Sequence, residues 1–494
     1  MATPEARLRD LLPDARELAL LFGARGLACV AAFRSGFRAL SDDDYARISI
    51  AQHFAQQPSF DPSGTSWLPA PFWVYGAAFR VFGNGLSVAR TVAIALSLLA
   101  TVLVYVSART LGTSRIAAMV GAVLSCMLVP YSAFLGLAAL PEVPCAGLLL
   151  FAAATLALSD VRLRALGGLA SIIACLSRYE AWPVAAACAA FCLWDALRQR
   201  RLAYLGCAAL ALTGPALWLF ASHANHGDAW FFVARVTAYR RALGGIDAPL
   251  WRRLIEYPWA LVWNALGLCI LFPIFLFMAP KTRAPDGPRY ARCGLALLAL
   301  LLFMMLGSVR DGVPTHHSAR VLLPLWFFGC VVAGREFARR ATDVAGRRRV
   351  AVVVAAITSI PLVEGLHLPS SEGFAQRTLE LEAGDAARME TKLGLAIDTT
   401  DYGYFAVQAG FGTPLGTSVL DDHDPRRPKD PNASPFRSPE ALEEALRERE
   451  ARFAILTRAH APLLSARCDE VWQNEAFVLF RCPARSTSTS ANAG

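Results

Sequence analysis

Three adjacent aspartates, Asp42, Asp43 and Asp44, are the residues of this sequence best suited to chemistry. They follow the first apolar segment by a few residues. Neighbouring carboxylates repel one another, more so close to a low-dielectric membrane, so such a run usually has a partner or a task. One task is that of a general base. The alternative is a solvated acidic turn that caps the helix beginning near Asp44.

Other polar residues are expected at the same side of the membrane as this acidic run. Each has an ordinary explanation alone, such as a snorkelling Arg178 or a pair between Arg178 and Glu180. Together they favour a site in which carboxylates provide a base and arginines neutralise phosphate. The candidates for substrate binding are Glu142, Arg178, Tyr179, Glu180, His316, His317 and Arg320. The long loop before the eighth apolar segment adds Arg235, Arg240, Arg241, Arg252 and Arg253.

The elements that position these residues are predicted to be membrane-spanning helices. Of the 494 residues 55% are hydrophobic, and the mean hydropathy is +0.40. A soluble domain of this length cannot bury so much apolar surface, whereas lipid accepts it. Eleven apolar segments are long enough, or nearly so, to span hydrocarbon: 18–37, 87–108, 116–134, 143–158, 165–176, 182–197, 202–221, 257–278, 294–306, 321–334 and 350–363.

The distribution of basic residues predicts the orientation of this bundle. With the N-terminus in the cytoplasm, the inner segments carry 20 Lys or Arg in 64 residues, and the outer loops carry 11 in 111. The positive-inside rule therefore places the N-terminus inside and, after eleven spans, the C-terminus outside. The net charge of +9 follows from this topology and not from a nucleic-acid partner. Arg outnumbers Lys by 45 to 3, which indicates a GC-rich bacterial genome, so the expected location is a bacterial inner membrane.

Three parts are predicted along the chain. Residues 1–365 form the bundle, with long outer loops at 38–86 and 222–256, and residues 484–494 form a disordered tail. Residues 366–483 alternate strand and helix patterns, which predicts a small periplasmic α/β domain. In the first outer loop, 44–57 and 72–82 read as helices lying on the membrane surface. Cys468 and Cys482 flank a predicted hairpin, where an oxidising compartment permits a disulfide.

At this point the sequence resembles the GT-C glycosyltransferases, which include protein O-mannosyltransferases and bacterial aminoarabinose transferases of lipid A. The resemblance extends over the whole bundle. Many members have Asp-Glu where this chain has three aspartates, so the residue matching the catalytic position stays open. The similar segments are the acidic motif with Tyr-Ala at 42–46, Trp-Leu-Pro-Ala-Pro-Phe-Trp at 67–73, Glu142, Arg-Tyr-Glu at 178–180, and Ser-Ala-Arg followed by Val-Leu-Leu-Pro at 318–324.

The resemblance implies a polytopic α-helical membrane protein with a small C-terminal α/β domain. It implies an inverting displacement in which an acceptor hydroxyl attacks a sugar on a polyprenyl phosphate. The acceptor is a lipid or a protein. Asp43 is the first choice for the base, with Asp42 and Asp44 as alternatives. Arg178 and Arg320 would meet the phosphate charge, and Glu142 and Glu180 would position the acceptor or those arginines.

Two other functions stay open: a transporter or flippase of lipid-linked sugars, and a ligase or polymerase of preassembled glycans. A transporter would carry ionisable residues midway through its spans. Here the span interiors are almost free of them, with Arg25 and Arg90 as exceptions near ends or turns. Clustered aspartates also suit Mg²⁺ or Mn²⁺. The branches most similar to this chain resemble metal-independent enzymes, so we expect no cofactor, with a divalent metal as the alternative.

Overall fold

The computed structural model describes residues 10–127, 130–156, 158–242, 249–265, 267–269, 286–310, 318–340, 376–398, 401–421 and 434–483. The chain forms two compact units. The first contains 1–40, 63–71 and 90–374, and the second contains 41–62, 72–89 and 375–494. His316, His317, the last predicted span and the tail lie outside the described residues.

The first fifteen helices in chain order are α1 Ala15–Arg34, α2 Asp42–Gln56, α3 Ala70–Phe82, α4 Leu86–Thr110, α5 Arg115–Met127, α6 Pro130–Leu135, α7 Glu142–Leu156, α8 Val161–Cys175, α9 Ala181–Gln199, α10 Ala203–His226, α11 Phe231–Ala242, α12 Leu250–Trp263, α13 Gly287–Val309, α14 Ser318–Val321 and α15 Leu323–Arg340. The C-terminal elements are α16 Thr378–Glu390, β1 Leu395–Ile397, α17 Tyr404–Phe411, β2 Thr417–Val419, α18 Pro439–Glu448, β3 Phe453–Thr457, β4 Asp469–Gln473 and β5 Phe477–Arg481.

The first unit is a helix bundle. Helices α7, α8, α9 and α10 pack against their neighbours in sequence, α13 packs against α7 and α9, and α15 packs against α5. Helix α1 begins at a capping box, in which Asp14 and Glu17 each accept a hydrogen bond from the other's backbone N–H at 2.9 Å. Helices α5 and α15 approach closely at Gly334, where a Cβ would clash with the backbone of α5.

Helix length and hydropathy identify a multi-pass membrane protein. Among the described residues, α4, α10 and α13 are each long and apolar enough to cross a membrane, while α5 and α7 are apolar but shorter. Helix α1 presents Leu20 and Leu27 outward, 62% and 65% exposed, seven residues apart on one face. Large apolar side chains on the outside of a bundle are expected where lipid is the solvent.

Two groups of buried charge inside the first unit differ from the expectation. Arg25 is fully buried in the middle of α1, not near an end as expected, and donates to Thr101 Oγ1 at 3.1 Å and to the Ser132 carbonyl at 2.8 Å. The second group was not expected. Asp195 on α9 accepts from Arg164 at 2.5 Å and from Arg292 at 2.7 and 2.8 Å. The buried guanidinium of Arg25 is therefore hydrogen-bonded to neutral oxygens, and those of Arg164 and Arg292 to a carboxylate.

The second unit contains a five-stranded sheet of order β2-β1-β3-β5-β4. Strands β2, β1 and β3 are parallel, and β5 pairs antiparallel with β3 and β4. Alternate residues of the strands point to opposite faces of the sheet, and both faces are buried. Helix α18 covers one face, while α16 and α17 cover the other. The predicted α/β domain is confirmed. Ser438 caps α18 as expected by accepting from the Ala441 N–H at 3.2 Å.

Cys468 and Cys482 form a disulfide in this domain. The bridge joins the residue before β4 to the residue after β5, so it closes the hairpin that these two strands make. The sequence had left the pairing open.

The two helices of the first outer loop form close to their expected positions, but their environment differs from the expectation. Helix α2 and most of α3 belong to the second unit. Helix α2 packs against α17, and its apolar residues Ile48 and Ala51 are fully buried. The apolar face of α2 therefore lies against protein, where an amphipathic pattern alone had indicated a membrane surface.

Candidate functional site

The acidic run begins helix α2 in the second unit. Ser41 is the N-cap in an extended conformation, so Asp42, Asp43 and Asp44 occupy the first turn. Carboxylates are favoured there because the first backbone N–H groups and the helix dipole attract negative charge. The acidic turn predicted as the alternative reading is thus present. It does not by itself exclude a catalytic task.

Asp42 is held by an arginine that the sequence did not single out. Both of its carboxylate oxygens accept from Arg377, from Nε and Nη2, at 2.8 Å each. Arg377 also donates to Glu380 at 3.0 Å and to Asp401 at 2.9 Å. The hydrogen bond to Asp42, with those to its other acidic neighbours, raises the pKa of the Arg377 guanidinium above its ordinary value. This arginine therefore stays charged between three carboxylates.

The other two aspartates differ in their exposure. Asp44 is fully buried, whereas Asp43 is partly exposed. A base must reach the hydroxyl from which it takes a proton, to about 2.6–3.2 Å between heavy atoms. Asp43 is therefore more open to a substrate hydroxyl than Asp44.

In the first unit, Glu142, Arg178 and Glu180 form a buried cluster. Glu142 begins α7, and the other two lie in the link between α8 and α9. Arg178 Nη1 donates to Glu142 at 2.6 Å, and its Nη2 and Nε donate to Glu180 at 2.6 and 3.2 Å. The side chains of Arg178, Glu142 and Glu180 are 12%, 3% and 4% exposed. The sequence predicted these residues as a group, and the structure brings them together.

Arg178 is the cation of this cluster under all ordinary conditions. Burial alone would lower the pKa of its guanidinium, but the carboxylates of Glu180 and Glu142 raise it above the ordinary value. One guanidinium between two carboxylates leaves a formal charge of one negative unit. The cluster thus offers anionic oxygens as well as a cation.

Tyr179 supports the cluster from within the same link. Its hydroxyl donates to the Ser66 carbonyl at 2.8 Å and accepts from Trp218 Nε1 at 3.0 Å. Its ring stacks on Phe232, with centroids 4.5 Å apart and an interplanar angle of 12°. These contacts fix the link in place, so Tyr179 has a structural role whether or not it touches substrate.

The remaining candidates have separate positions. Arg320 lies in α14 and is 3% exposed. Arg253, from the arginine-rich loop, donates to the carbonyls of Ser308 and Val309 at 3.0 and 2.9 Å and so caps the end of α13. The expected meeting of the acidic run with Glu142, Arg178 and Arg320 stays a prediction.

A metal site was the alternative to a cofactor-free reaction. Within the described residues, no three His, Cys, Asp or Glu side chains are grouped in a way that could hold a metal ion. Asp42 of the acidic run is bound to Arg377. Metal dependence therefore stays a matter for experiment.

Comparison with known proteins adds a family and a fold. Residues 62–220 match the family model described as dolichyl-phosphate-mannose-protein mannosyltransferase. The matched region includes Glu142 and the link at 178–180, and it begins after the acidic run. No curated protein sequence matches the chain significantly.

Two solved structures of ArnT from Cupriavidus metallidurans have a similar fold. The one bound to undecaprenyl phosphate has a TM-score of 0.58 at 13% identity, covering 94% of this chain and 98% of the other. The apo structure has a TM-score of 0.59 at 13% identity, covering 94% and 97%. The similarity spans nearly the whole of both chains. The chain therefore has a fold similar to that of ArnT, and residues 62–220 resemble the mannosyltransferase family model.

Proposed function

We propose that this protein transfers a sugar from a polyprenyl-phosphate carrier to an acceptor hydroxyl, with inversion at the anomeric carbon. The observation that carries the proposal is a GT-C fold over 94% of the chain, shared with a protein that binds undecaprenyl phosphate. The mannosyltransferase family match, whose description names a dolichyl-phosphate sugar, supports the same donor class.

The proposed reaction is a single displacement. The acceptor oxygen forms a bond to the anomeric carbon while the bond from that carbon to the phosphate oxygen breaks. The acceptor proton passes to Asp43, and such a base accelerates transfer by about 10²–10⁴-fold. The donor phosphodiester leaves as a phosphomonoester, which gains a second negative charge, so the leaving group needs cations more than it needs a proton.

Arg320 and Arg178 are the proposed cations. Arg320 is almost fully buried, where a charge interacts more strongly than in water. Arg178 is already bound to Glu142 and Glu180, so it meets phosphate only by exchanging one of these partners. We assign the leaving phosphate to Arg320 and Arg178 together. Glu142 and Glu180 orient Arg178 and offer oxygens to the hydroxyls of an acceptor.

The proposed location is the inner membrane of a bacterium, with the N-terminus in the cytoplasm and the C-terminal domain in the periplasm. The bias of basic residues between alternate loops supports this orientation. The disulfide between Cys468 and Cys482 supports it independently, because such bridges persist in oxidising compartments.

The test is a transfer assay on the purified protein in nanodiscs, with a panel of radiolabelled polyprenyl-phosphate sugars. The acceptor is supplied as an envelope extract of a deletion strain. We expect label in a covalent product, with inverted anomeric configuration by NMR, and its loss in Asp43→Asn at normal accumulation of the protein. Label that moves between leaflets without a covalent product would favour a transporter, and transfer of a preassembled glycan would favour a ligase.

Metal dependence is tested in the same assay. Transfer that persists after treatment with EDTA fits the proposed mechanism. Loss of transfer that Mg²⁺ or Mn²⁺ restores would instead assign the acidic run to a cation.

A further inference from the structure

One face of helix α2 makes a row of polar contacts with the C-terminal part of the second unit. The contacting positions are 42, 45, 49 and 52, and this spacing of three and four keeps them on one side of a helix. The contacts are Asp42 with Arg377 at 2.8 Å, Tyr45 Oη to the Gln376 carbonyl at 3.0 Å, Ser49 Oγ to Gln408 Oε1 at 2.9 Å, and Gln52 Nε2 to the Ala409 carbonyl at 3.0 Å.

Of these four contacts, the one between Asp42 and Arg377 joins two charged groups through two hydrogen bonds. A planar guanidinium that bonds both oxygens of a carboxylate fixes the orientation of that carboxylate as well as its distance. Asp42 is the first residue of α2. Its pairing therefore sets the rotation of the helix about its axis at the end where Asp43 follows.

Arg377 is itself held rigidly. Its φ of 43° lies in the left-handed region, where a non-glycine residue is strained and is retained by its surroundings. It precedes α16, and its Nη1 donates to Glu380 while its Nη2, which also bonds Asp42, donates to Asp401. The surroundings thus fix both the backbone and the side chain of this arginine.

We propose that Arg377 is a positioning residue for glycosyl transfer: it anchors Asp42 and thereby aims Asp43 at the acceptor. Asp42 is then an anchor and not the base. The inference rests on the proposed function, in which an aspartate of this run takes the acceptor proton. It gives the C-terminal domain a part in the reaction, through contacts made within the second unit.

Loss of this anchor should affect the chemical step more than binding. Asp42 and Asp43 point about 100° apart around the helix, so a small rotation of α2 moves the Asp43 carboxylate. A displacement of about 1 Å costs on the order of 10²-fold in rate. The base itself remains present, so residual transfer should keep its dependence on pH.

The experiment compares Arg377→Ala, Arg377→Lys and Asp42→Asn in the full-length protein. We expect Arg377→Ala and Asp42→Asn to lower kcat by about 10–100-fold with the donor KM nearly unchanged. Arg377→Lys should recover part of the rate, because an ammonium keeps the charge but not the bidentate bond. The double variant Asp42→Asn with Arg377→Ala should lose no more of kcat than the worse single variant, because both substitutions remove the same contact.

Arg467→Ala is the matched control. Arg467 also joins two carboxylates of the C-terminal domain, Glu440 and Glu443, at 2.5 and 2.9 Å, but neither belongs to α2. Transfer by this variant should equal that of the unmodified protein. An equal loss in Arg467→Ala and Arg377→Ala would overturn the inference, because both would then act only through the stability of the domain.

Failure of the inference is distinguishable from failure of the proposed function. Full activity of Arg377→Ala and Asp42→Asn, with Asp43→Asn inactive, overturns the positioning role and leaves the base in place. The positioning role is also overturned if the transfer rate of Asp42→Asn no longer depends on pH, because Asp42 would then be the base. Full activity of Asp43→Asn contradicts the proposed base. If Arg377 variants fail to accumulate, Asp42→Asn decides alone.

Discussion

Two buried ion clusters at opposite ends of helices α8 and α9 have inverse compositions. At one end, Arg178 lies between the carboxylates of Glu142 and Glu180. At the other, the carboxylate of Asp195 lies between the guanidiniums of Arg164 and Arg292. Helix α8 has 15 residues and so separates the two ends by about 22 Å. One cluster carries a surplus negative charge and the other a surplus positive charge.

The difference assigns different tasks to similar contacts. A surplus of carboxylate oxygens leaves acceptors that the proposed reaction would use for substrate hydroxyls. A surplus of guanidinium at the other end fits the predicted cytoplasmic side, where basic residues accumulate. In each cluster the central ion, Arg178 or Asp195, holds two ions of opposite charge. We therefore expect its loss to lower the free energy of unfolding more than loss of either outer ion.

The largest expected effect is from Asp195→Asn. The side chains of Asp195 and Arg164 are 2% and 1% exposed, so the change leaves a buried guanidinium without its counter-ion. We expect a loss of about 3–5 kcal/mol in the free energy of unfolding. Thermal unfolding in detergent micelles measures this loss. An unchanged midpoint would show that Arg164 finds enough stabilisation in its stacking on Tyr204.

The next effect is expected from Arg178→Met, which leaves two buried carboxylates facing each other. We expect a stability loss of about 3 kcal/mol and, in the same protein, loss of glycosyl transfer. The combination with Glu142→Gln and Glu180→Gln should recover stability but not transfer. Recovery of transfer in the triple variant would mean that the cluster is structural only.

A smaller effect is expected from Glu142→Gln alone. The amide oxygen still accepts from Arg178, and Glu180 still neutralises it, so the unfolding free energy should fall by about 1–2 kcal/mol. The transfer rate should fall more than this loss of stability explains, because the carboxylate proposed to bind the acceptor is removed. Equal rates for this variant and the unmodified protein would contradict a role in acceptor binding.

The smallest effect is expected from Arg292→Gln. The side chain of Arg292 is 30% exposed, and its removal leaves Asp195 paired with Arg164 alone. Partly exposed ion pairs contribute about 1 kcal/mol or less, so we expect a loss within that range and unchanged transfer. A loss as large as that of Asp195→Asn would mean that the surplus positive charge is itself required.

The fold followed from the sequence where apolar periodicity was strong. The long apolar helices and the alternating strands of the C-terminal domain were predicted because their patterns match the helix and strand periods. Helix α16 was missed because its buried residues, Ala383, Gly384 and Ala387, are small and make only a weak apolar stripe. The buried Asp195 was missed because a single acidic residue near the end of an apolar segment gives no sign of its partners.

The candidate site was predictable only in part, for a similar reason. Arg178 and Glu180 are neighbours in sequence, and the pair was foreseen. The bond between Asp42 and Arg377 joins residues 335 positions apart, and nothing local in either segment indicates the other. Residue types show which chemistry is available, but the tertiary fold decides which carboxylate is paired with an arginine.

The same long separation in sequence has a consequence for folding during synthesis. Helix α2 emerges early from the ribosome, yet its polar partners on α17 and before α16 are made more than 320 residues later. Domains generally assemble in the order of synthesis. A chain that ends before residue 376 therefore lacks every one of these contacts, and α2 is left without its polar partners until synthesis is almost complete.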